Sequence, residues 1–158
     1  MTLSIIIVHY RTKGLLKQCL RGLLVAQIAV SYEIIVVDNF SNNGTVEMMA
    51  ELFPTVRFIQ NLKNEGFGRA NNIAMSLAKG DYYMITNADT CVFSGEIEKM
   101  IAYLEAHPEI GVLGPKLLNP DRSVQCSCYR FYRWFTPIIR RTLLRDFNFG
   151  RRELARCL

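Results

Sequence analysis

Three short polar clusters interrupt an otherwise apolar N-terminal region: His9-Tyr10, Asp38-Asn39 and Asn87-Ala88-Asp89. Each directly follows a run rich in apolar residues. Asp38 places a carboxylate where it can accept hydrogen bonds from a nucleotide base or ribose, a common use of a strand-end acid. The same position also suits a cap or a turn. Asn87 and Asp89 offer two oxygen-bearing side chains one residue apart. That pattern suits a hard divalent cation, which takes oxygen ligands and leaves coordination sites for phosphate. Its structural alternative is a turn with Asx hydrogen bonds. A fourth candidate is Asn64-Glu65-Gly66-Phe67-Gly68-Arg69-Ala70-Asn71-Asn72. Here Gly66 and Gly68 permit close backbone approach, and the start of a helix favours anions. This segment is not a GxGxxG fingerprint and it follows the third strand rather than the first, which counts against a nicotinamide-dependent oxidoreductase. The two histidines, His9 and His107, form no Ser/His/Asp order of the hydrolase kind.

The elements that must position these residues are legible as alternating patterns. Residues 3–8 (LSIIIV), 33–37 (EIIVV), 56–59 and 82–85 read as strands, the first two apolar enough to be buried on both faces. A short fifth strand is expected at 111–113. Leu15, Leu16, Cys19, Leu20, Leu23 and Leu24 recur at helical spacing with basic residues between them, an amphipathic helix. Residues 45–53, 68–78 and 96–106 are also expected as helices, the first stopped by Pro54, and 138–144 is a further helical candidate. Asn119-Pro120-Asp121-Arg122-Ser123 reads as a turn between two extended segments. Alternating strands and helices imply a parallel sheet covered on both faces. In such a sheet ligands sit at the carboxyl ends of the strands, where His9, Asp38 and Asn87 to Asp89 fall.

The chain has 158 residues with 50% hydrophobic and 21% charged side chains, a globular composition of single-domain length. Its net charge of +5 is unevenly placed. Residues 130–158 hold eight arginines against Asp146 and Glu153, whereas residues 1–129 are close to neutral. A basic nucleic-acid-binding face is therefore not expected, and the chain divides into a body, 1–129, and an Arg-rich tail, 130–158. The longest stretch without a charge is residues 22–32, too short for a membrane-spanning helix. The N-terminus lacks the basic start of a signal peptide. Five scattered cysteines, with no CxxC spacing, read as reduced thiols in a cytoplasmic protein.

Taken in order, five phrases resemble the family 2 glycosyltransferases, in particular the rhamnosyltransferase-like members. They are Ser4-Ile5-Ile6-Ile7-Val8-His9-Tyr10; Glu33-Ile34-Ile35-Val36-Val37-Asp38-Asn39; residues 64–72; Gly80-Asp81-Tyr82-Tyr83 leading to Asn87-Ala88-Asp89; and residues 111–121 (GVLGPKLLNPD). The resemblance covers residue 3 to about residue 135. It implies an α/β protein of the GT-A type: a Rossmann-like, mostly parallel sheet with helices on both faces and a nucleotide-diphosphate sugar across the strand ends. In that analogy His9 and Tyr10 line the base pocket and Asp38 hydrogen-bonds the base. Asn64, Gly66, Arg69 and Asn71 border the nucleotide and diphosphate, and Asn87 belongs to the donor site. Asp89 holds Mg²⁺ or Mn²⁺ on the diphosphate. The implied reaction transfers the sugar with inversion to an acceptor hydroxyl that a carboxylate base deprotonates. A saccharide or lipid-linked saccharide of bacterial polysaccharide synthesis is the implied acceptor.

Two positions depart from the family pattern. Arg11 stands where the family commonly has Asn. Family members also generally continue into an acceptor-binding half that supplies the base, and none of Glu96, Glu98, Glu105, Glu109, Asp121, Asp146 and Glu153 occupies a recognisable base position, so the catalytic base is unassigned. The competing expectation is a truncated or non-catalytic protein that uses the same fold to bind nucleotide sugar or a partner. A nucleotidyltransferase fits less well, because residues 9–14 (HYRTKG) are a poor version of its glycine-rich loop. The basic tail would either lie on an anionic membrane at its cytoplasmic face or mark a segment lacking its packing partner. Uncovered aromatics at 129–135 would favour a homo-oligomer.

Overall fold

The computed structural model describes residues 1–125, 127, 136–142 and 147. The two most apolar segments become adjacent central strands. β1 (Leu3–His9) pairs in parallel with β2 (Tyr32–Asp38), the register running from Leu3 opposite Tyr32 to His9 opposite Asp38. β2 pairs with β3 (Arg57–Gln60), and the other side of β1 pairs with β4 (Tyr82–Asn87), Val8 lying opposite Asn87. All three pairings are parallel and the strand order is β3-β2-β1-β4.

Side chains alternate across the sheet with period two, and both faces are covered over β1 and β2, whereas Tyr83 and Ile85 of β4 are exposed on the α3 side. Ile5, Ile7, Ile34 and Val36 point to one face. They pack with Leu16, Cys19, Leu20 and Leu23 of α1 (Lys13–Val25), Met48 and Met49 of α2 (Thr45–Leu52), and Ile97 and Ile101 of α4 (Glu96–Ala106). Ile6, Ile35 and Val37 point to the other face, against Ala70 and Ala74 of α3 (Phe67–Met75). The two alanines let α3 lie close to the sheet. Burying each of these Ile, Leu or Val side chains contributes about 1.5–3 kcal/mol.

Boundaries follow local chemistry. α2 ends before Phe53-Pro54, where the residue preceding proline leaves the helical region (Phe53 φ −137°, ψ 52°). α3 ends at Met75, short of the expected Ala78. The Ser76 hydroxyl donates to the Ile73 carbonyl there, a side-chain bond that competes with helix continuation. The expected fifth strand is not formed: residues 111–113 carry no strand, and Val112 is 90% exposed. A three-residue segment containing glycine and followed by Gly114-Pro115 buries too little to hold a place in a sheet.

The chain divides into two compact units, Met1–Gly111 and Val112–Leu158. In the second, the expected turn closes a small hairpin: Leu118 bridges Val124 in antiparallel fashion, and Asn119 N–H donates to the Ser123 carbonyl at 2.9 Å. α5 (Thr136–Arg141) overlaps the expected helical segment. Most of the Arg-rich tail lies outside the described residues, as do Cys126, Cys128 and Cys157. Cys19 is buried and Cys91 exposed, both as free thiols. Among the described residues no helix is long and apolar enough to cross a membrane.

A polar clamp closes the end of the sheet opposite the strand-end clusters. The buried Ser4 hydroxyl donates to Glu33 Oε1 at 2.7 Å and accepts from Gly80 N–H at 2.9 Å, while Lys79 N–H donates to the same Glu33 oxygen at 2.6 Å. Three segments distant in sequence are joined, and the entry into β4 is set against β1. Partial burial pushes the Glu33 carboxyl up. The Ser4 and Lys79 hydrogen bonds, aided by the Arg57 and Lys79 charges, outweigh that effect and hold it below its ordinary value.

Candidate functional site

The strand order decides where a ligand fits. From β1 the chain builds outward to β2 and β3 on one side, then crosses by α3 on the opposite face to place β4 on the other side of β1. The order reverses between β1 and β4, and crevices of doubly wound sheets form at the carboxyl ends of such a pair. His9-Tyr10 leaves β1 there, beside Asn87-Ala88-Asp89 from β4 and Asp38-Asn39 from β2.

His9 is fully buried beneath this rim rather than open on it. Nδ1 lies 3.0 Å from the Thr12 hydroxyl and Nε2 lies 3.1 Å from the Thr45 hydroxyl. Thr45 donates its one hydroxyl proton to Asn43 Oδ1. It must therefore accept from His9 Nε2–H, which leaves Nδ1 to accept from Thr12. In the neutral ring, the form that burial favours, this fixes one tautomer, with the proton on Nε2. Burial pulls its pKa below the ordinary 6.5, against the opposing pull of Asp38, whose Oδ1 is 3.8 Å from Nε2. Thr12, at the N-cap of α1, makes no side-chain cap, and its hydroxyl is turned to His9 instead.

Asp38 is 1% exposed, and both its oxygens accept from Ser41 N–H, at 3.2 and 3.3 Å. A carboxylate has about four lone-pair sites, so this bond leaves acceptor capacity for a ligand N–H. Ser41 joins the two loops, because its hydroxyl accepts from Arg11 N–H at 2.8 Å.

Asn39, read in the sequence only as part of the Asp38-Asn39 cluster and given no role of its own, is the hub of the next layer. Its side-chain N–H donates to Asn64 Oδ1 at 2.7 Å, and its Oδ1 accepts from Asn61 Nδ2 at 3.1 Å and Glu65 N–H at 2.8 Å. Asn64 Oδ1 also accepts from Gly66 N–H at 2.9 Å. This amide network ties the end of β2 to the loop that starts α3. The signal was present as three asparagines near two strand ends, but residue types alone do not reveal which will pair. Gly66 caps α3 with φ 78° and ψ 166°, a backbone region open essentially to glycine.

The remaining candidates behave differently. Tyr10 is 41% exposed. Arg69 is exposed and paired with Glu65, its Nη1 3.2 Å from Glu65 Oε2. Asn71 is buried on α3. Its Nδ2 donates to the Phe67 carbonyl at 3.0 Å, while its Oδ1 is buried without a partner among the described residues. Asn87 and Asp89 are exposed, and Thr90 N–H bonds the Asn87 carbonyl at 3.4 Å in a turn. Cys19 packs below this turn, its Sγ 3.9 Å from the Asn87 carbonyl. Burial, with Cys91 and Asp89 nearby, pushes the Cys19 thiol up to about 11, so it stays protonated.

Among the described residues, no three His, Cys, Asp or Glu side chains cluster closely enough to hold a metal by themselves. Asp89 instead presents one carboxylate free of hydrogen bonds and ion pairs to the described residues. That arrangement fits a cation whose other ligands are phosphate oxygens and water, the usual manner of Mg²⁺.

The two depressed pKa values make an acid-stability prediction. Above its ordinary value each group is in the same charge state folded and unfolded. As pH falls, the unfolded chain binds the proton first, so stability is lost. The thermal midpoint is expected to fall as pH drops below about 6.5, where unfolded His9 charges, and further below about 4.5 from Glu33. A His9→Gln variant should lose the first part of that slope while keeping the second. A wild-type midpoint flat from pH 7 to 5.5 would contradict the His9 assignment.

Comparison with known proteins adds an independent line. The family model described as Glycosyl transferase family 2 matches residues 4–152. An uncharacterized glycosyltransferase of Haemophilus influenzae is 30% identical over 111 residues, which cover 70% of this chain and 37% of that protein. The N-acetylglucosaminyl-diphospho-decaprenol L-rhamnosyltransferase of Mycobacterium tuberculosis is 28% identical over 105 residues, covering 60% of this chain and 34% of that protein. The chain thus spans little more than a third of either relative. Among solved structures, residues 1–349 of TarS from S. aureus in complex with UDP-GlcNAc superpose with a TM-score of 0.60 at 21% identity, over 68% of this chain and 32% of that one. This likeness bears out the GT-A fold expected from the sequence.

Proposed function

Because the chain belongs to glycosyl transferase family 2, we propose that its β1–β4 crevice binds a nucleotide-diphosphate sugar as the donor site of an inverting, metal-assisted glycosyltransferase. The observation that carries this reading is that β2, β1 and β4 end side by side, so that the segments bearing Asp38, Tyr10 and Asp89 leave adjacent strand ends at the switch point of the sheet. The S. aureus neighbour was solved with UDP-GlcNAc and with UDP, which supports a nucleotide of this class.

In the proposed arrangement Tyr10 flanks the base and the spare lone pairs of Asp38 accept its ring N–H. His9 acts one layer below. Its fixed neutral ring and the Arg11–Ser41–Asp38 bonds keep the carboxylate oriented. The Asn39 network holds Asn64 and Gly66 at the start of α3, where Arg69 and Asn71 border the diphosphate. Asn87 and Asp89 face that diphosphate from β4. When bound at Asp89, Mg²⁺ or Mn²⁺ supplies charge neutralisation for the departing nucleoside diphosphate. An acceptor hydroxyl displaces that group at the anomeric carbon with inversion. A saccharide or lipid-linked saccharide fits as acceptor, in keeping with the diphospho-decaprenol named for the mycobacterial relative.

A second reading uses the same fold and the same crevice. It is a donor-binding module that does not transfer by itself. Both readings share donor binding, which is tested first. UDP, TDP or GDP at about 100 times its Kd adds ~2.7 kcal/mol, about 5–11 °C in thermal midpoint for a chain of this size, and more with Mn²⁺ than without. No shift with any of the three, with or without metal, rules out the donor site. Sugar release from a bound donor to acceptor then separates the enzyme from the module.

A further inference from the structure

Three of the five left-handed non-glycine residues among the described residues stand on the two loops beside Asp38: Arg11 (φ 57°), Phe40 (φ 70°) and Asn42 (φ 45°). Asparagine tolerates this region, but a phenylalanine there is an outlier. A glycine would relieve the strain. The side chain is nonetheless not taken into the core, since Phe40 is 40% exposed. Strain kept at a position where the side chain does little for folding points to function.

The location says which function. Phe40 is two residues beyond Asp38, and Tyr10 is one beyond His9, the residue paired with Asp38 in the β1–β2 register. The two aromatics therefore leave neighbouring strand ends, about 4.8 Å apart, next to a carboxylate with spare acceptor capacity. The Arg11 guanidinium lies over the Tyr10 ring, 5.1 Å from its centroid. It occupies one ring face, and Tyr10 remains 41% exposed. The Arg11 N–H bond to Ser41 Oγ locks the two strained loops together.

We propose that Phe40 and Arg11, with Tyr10, form an aromatic and cationic lip that stacks on the nucleobase and sets which base the site accepts. Phe40 presents its ring directly, and Arg11 backs Tyr10. The strained backbone is the means by which both large side chains are held at the rim. This inference rests on the donor-site reading above and adds to it the residues that choose the base.

The test is the binding of UDP, TDP and GDP by titration calorimetry to the wild type, Phe40→Gly, Phe40→Leu and Arg11→Asn, each with a thermal melt. Loss of a base-stacking ring is expected to raise Kd for the preferred nucleotide roughly fivefold or more in Phe40→Gly, with a smaller rise in Phe40→Leu. Arg11→Asn should narrow the spread among the three nucleotides. The Phe40→Gly melt should stay level or rise, because glycine suits the left-handed backbone. An unchanged Kd in Phe40→Gly overturns the inference. So does a weaker Kd accompanied by a lower melting temperature, which would make the ring structural. Wild-type protein that binds none of the three defeats the donor-site reading itself.

Discussion

Replacing Asp89 with alanine is expected to abolish the metal-dependent part of nucleotide binding while leaving the fold intact. Asp89 ends the turn after β4 with its side chain exposed and without a hydrogen bond or ion pair to the described residues. Its removal therefore breaks no stabilising contact, and a surface change of this kind moves stability by no more than about 0.5 kcal/mol. A metal held by one protein carboxylate, phosphates and water has nothing to replace it. Losing a residue that merely orients a metal ligand weakens metal affinity about 10–100-fold, so losing the ligand itself should cost at least as much. The measurement is the extra affinity for UDP that Mn²⁺ confers. It should be present in the wild type and absent in Asp89→Ala, with metal-free affinity unchanged. Asp38→Ala should show the opposite pattern, weaker by the same factor with and without Mn²⁺. Mn²⁺ enhancement of equal size in Asp89→Ala would remove Asp89 from the site.

The largest stability effect is expected from Gly80→Ala, far from that rim. A Cβ at Gly80 would stand 2.5 Å from the Ser4 backbone nitrogen, 2.7 Å from the Leu3 carbonyl carbon and 2.8 Å from the Ser4 hydroxyl. Two of these are backbone atoms of β1, a strand paired on both edges, so they cannot swing aside as a side-chain tip would. Relief requires β4 to move away from β1, which also breaks the Gly80–Ser4 bond and loosens Glu33. The expected loss is about 3 kcal/mol or more, roughly 6–12 °C in thermal midpoint. Gly22→Ala serves as the control. It sits in α1 with nothing within 4 Å of its Cβ position and should stabilise by about 0.5–1 kcal/mol. Equal melts for the two variants would refute the clamp.

How much of this was legible in the chain differs residue by residue. β1 and β2 could be read directly because Ile5, Ile6 and Ile7, like Ile35, Val36 and Val37, are apolar on consecutive positions, a pattern that only a strand covered on both faces rewards. Asp38 and Asp89 could be placed at strand ends for the same reason: each is the first acid after such a run. The segment at 111–113 misled because an apolar pair looks alike whether or not a neighbouring strand exists to receive it. The partners of His9 were illegible for a related reason. A histidine at a strand end reads as open to ligand, yet its two partners are hydroxyls 3 and 36 residues away, and the second could be known only from the packing of α2.

The alternation of elements, the parallel sheet, the family resemblance and the strand-end residues available for chemistry are legible in the chain. These depend on side-chain type and spacing, which are local. Tertiary structure alone decided that β1 and β4 form the switch point, that Asn39 gathers Asn61, Asn64 and Glu65, and that Gly80 must remain without a side chain. It also decided that Arg11 and Phe40 carry large side chains on left-handed backbone. Each of these is set by what the rest of the chain brings alongside, over separations of tens of residues. A short window of sequence carries no record of such distant neighbours, whereas burial and hydrogen bonding in the folded chain answer to them directly.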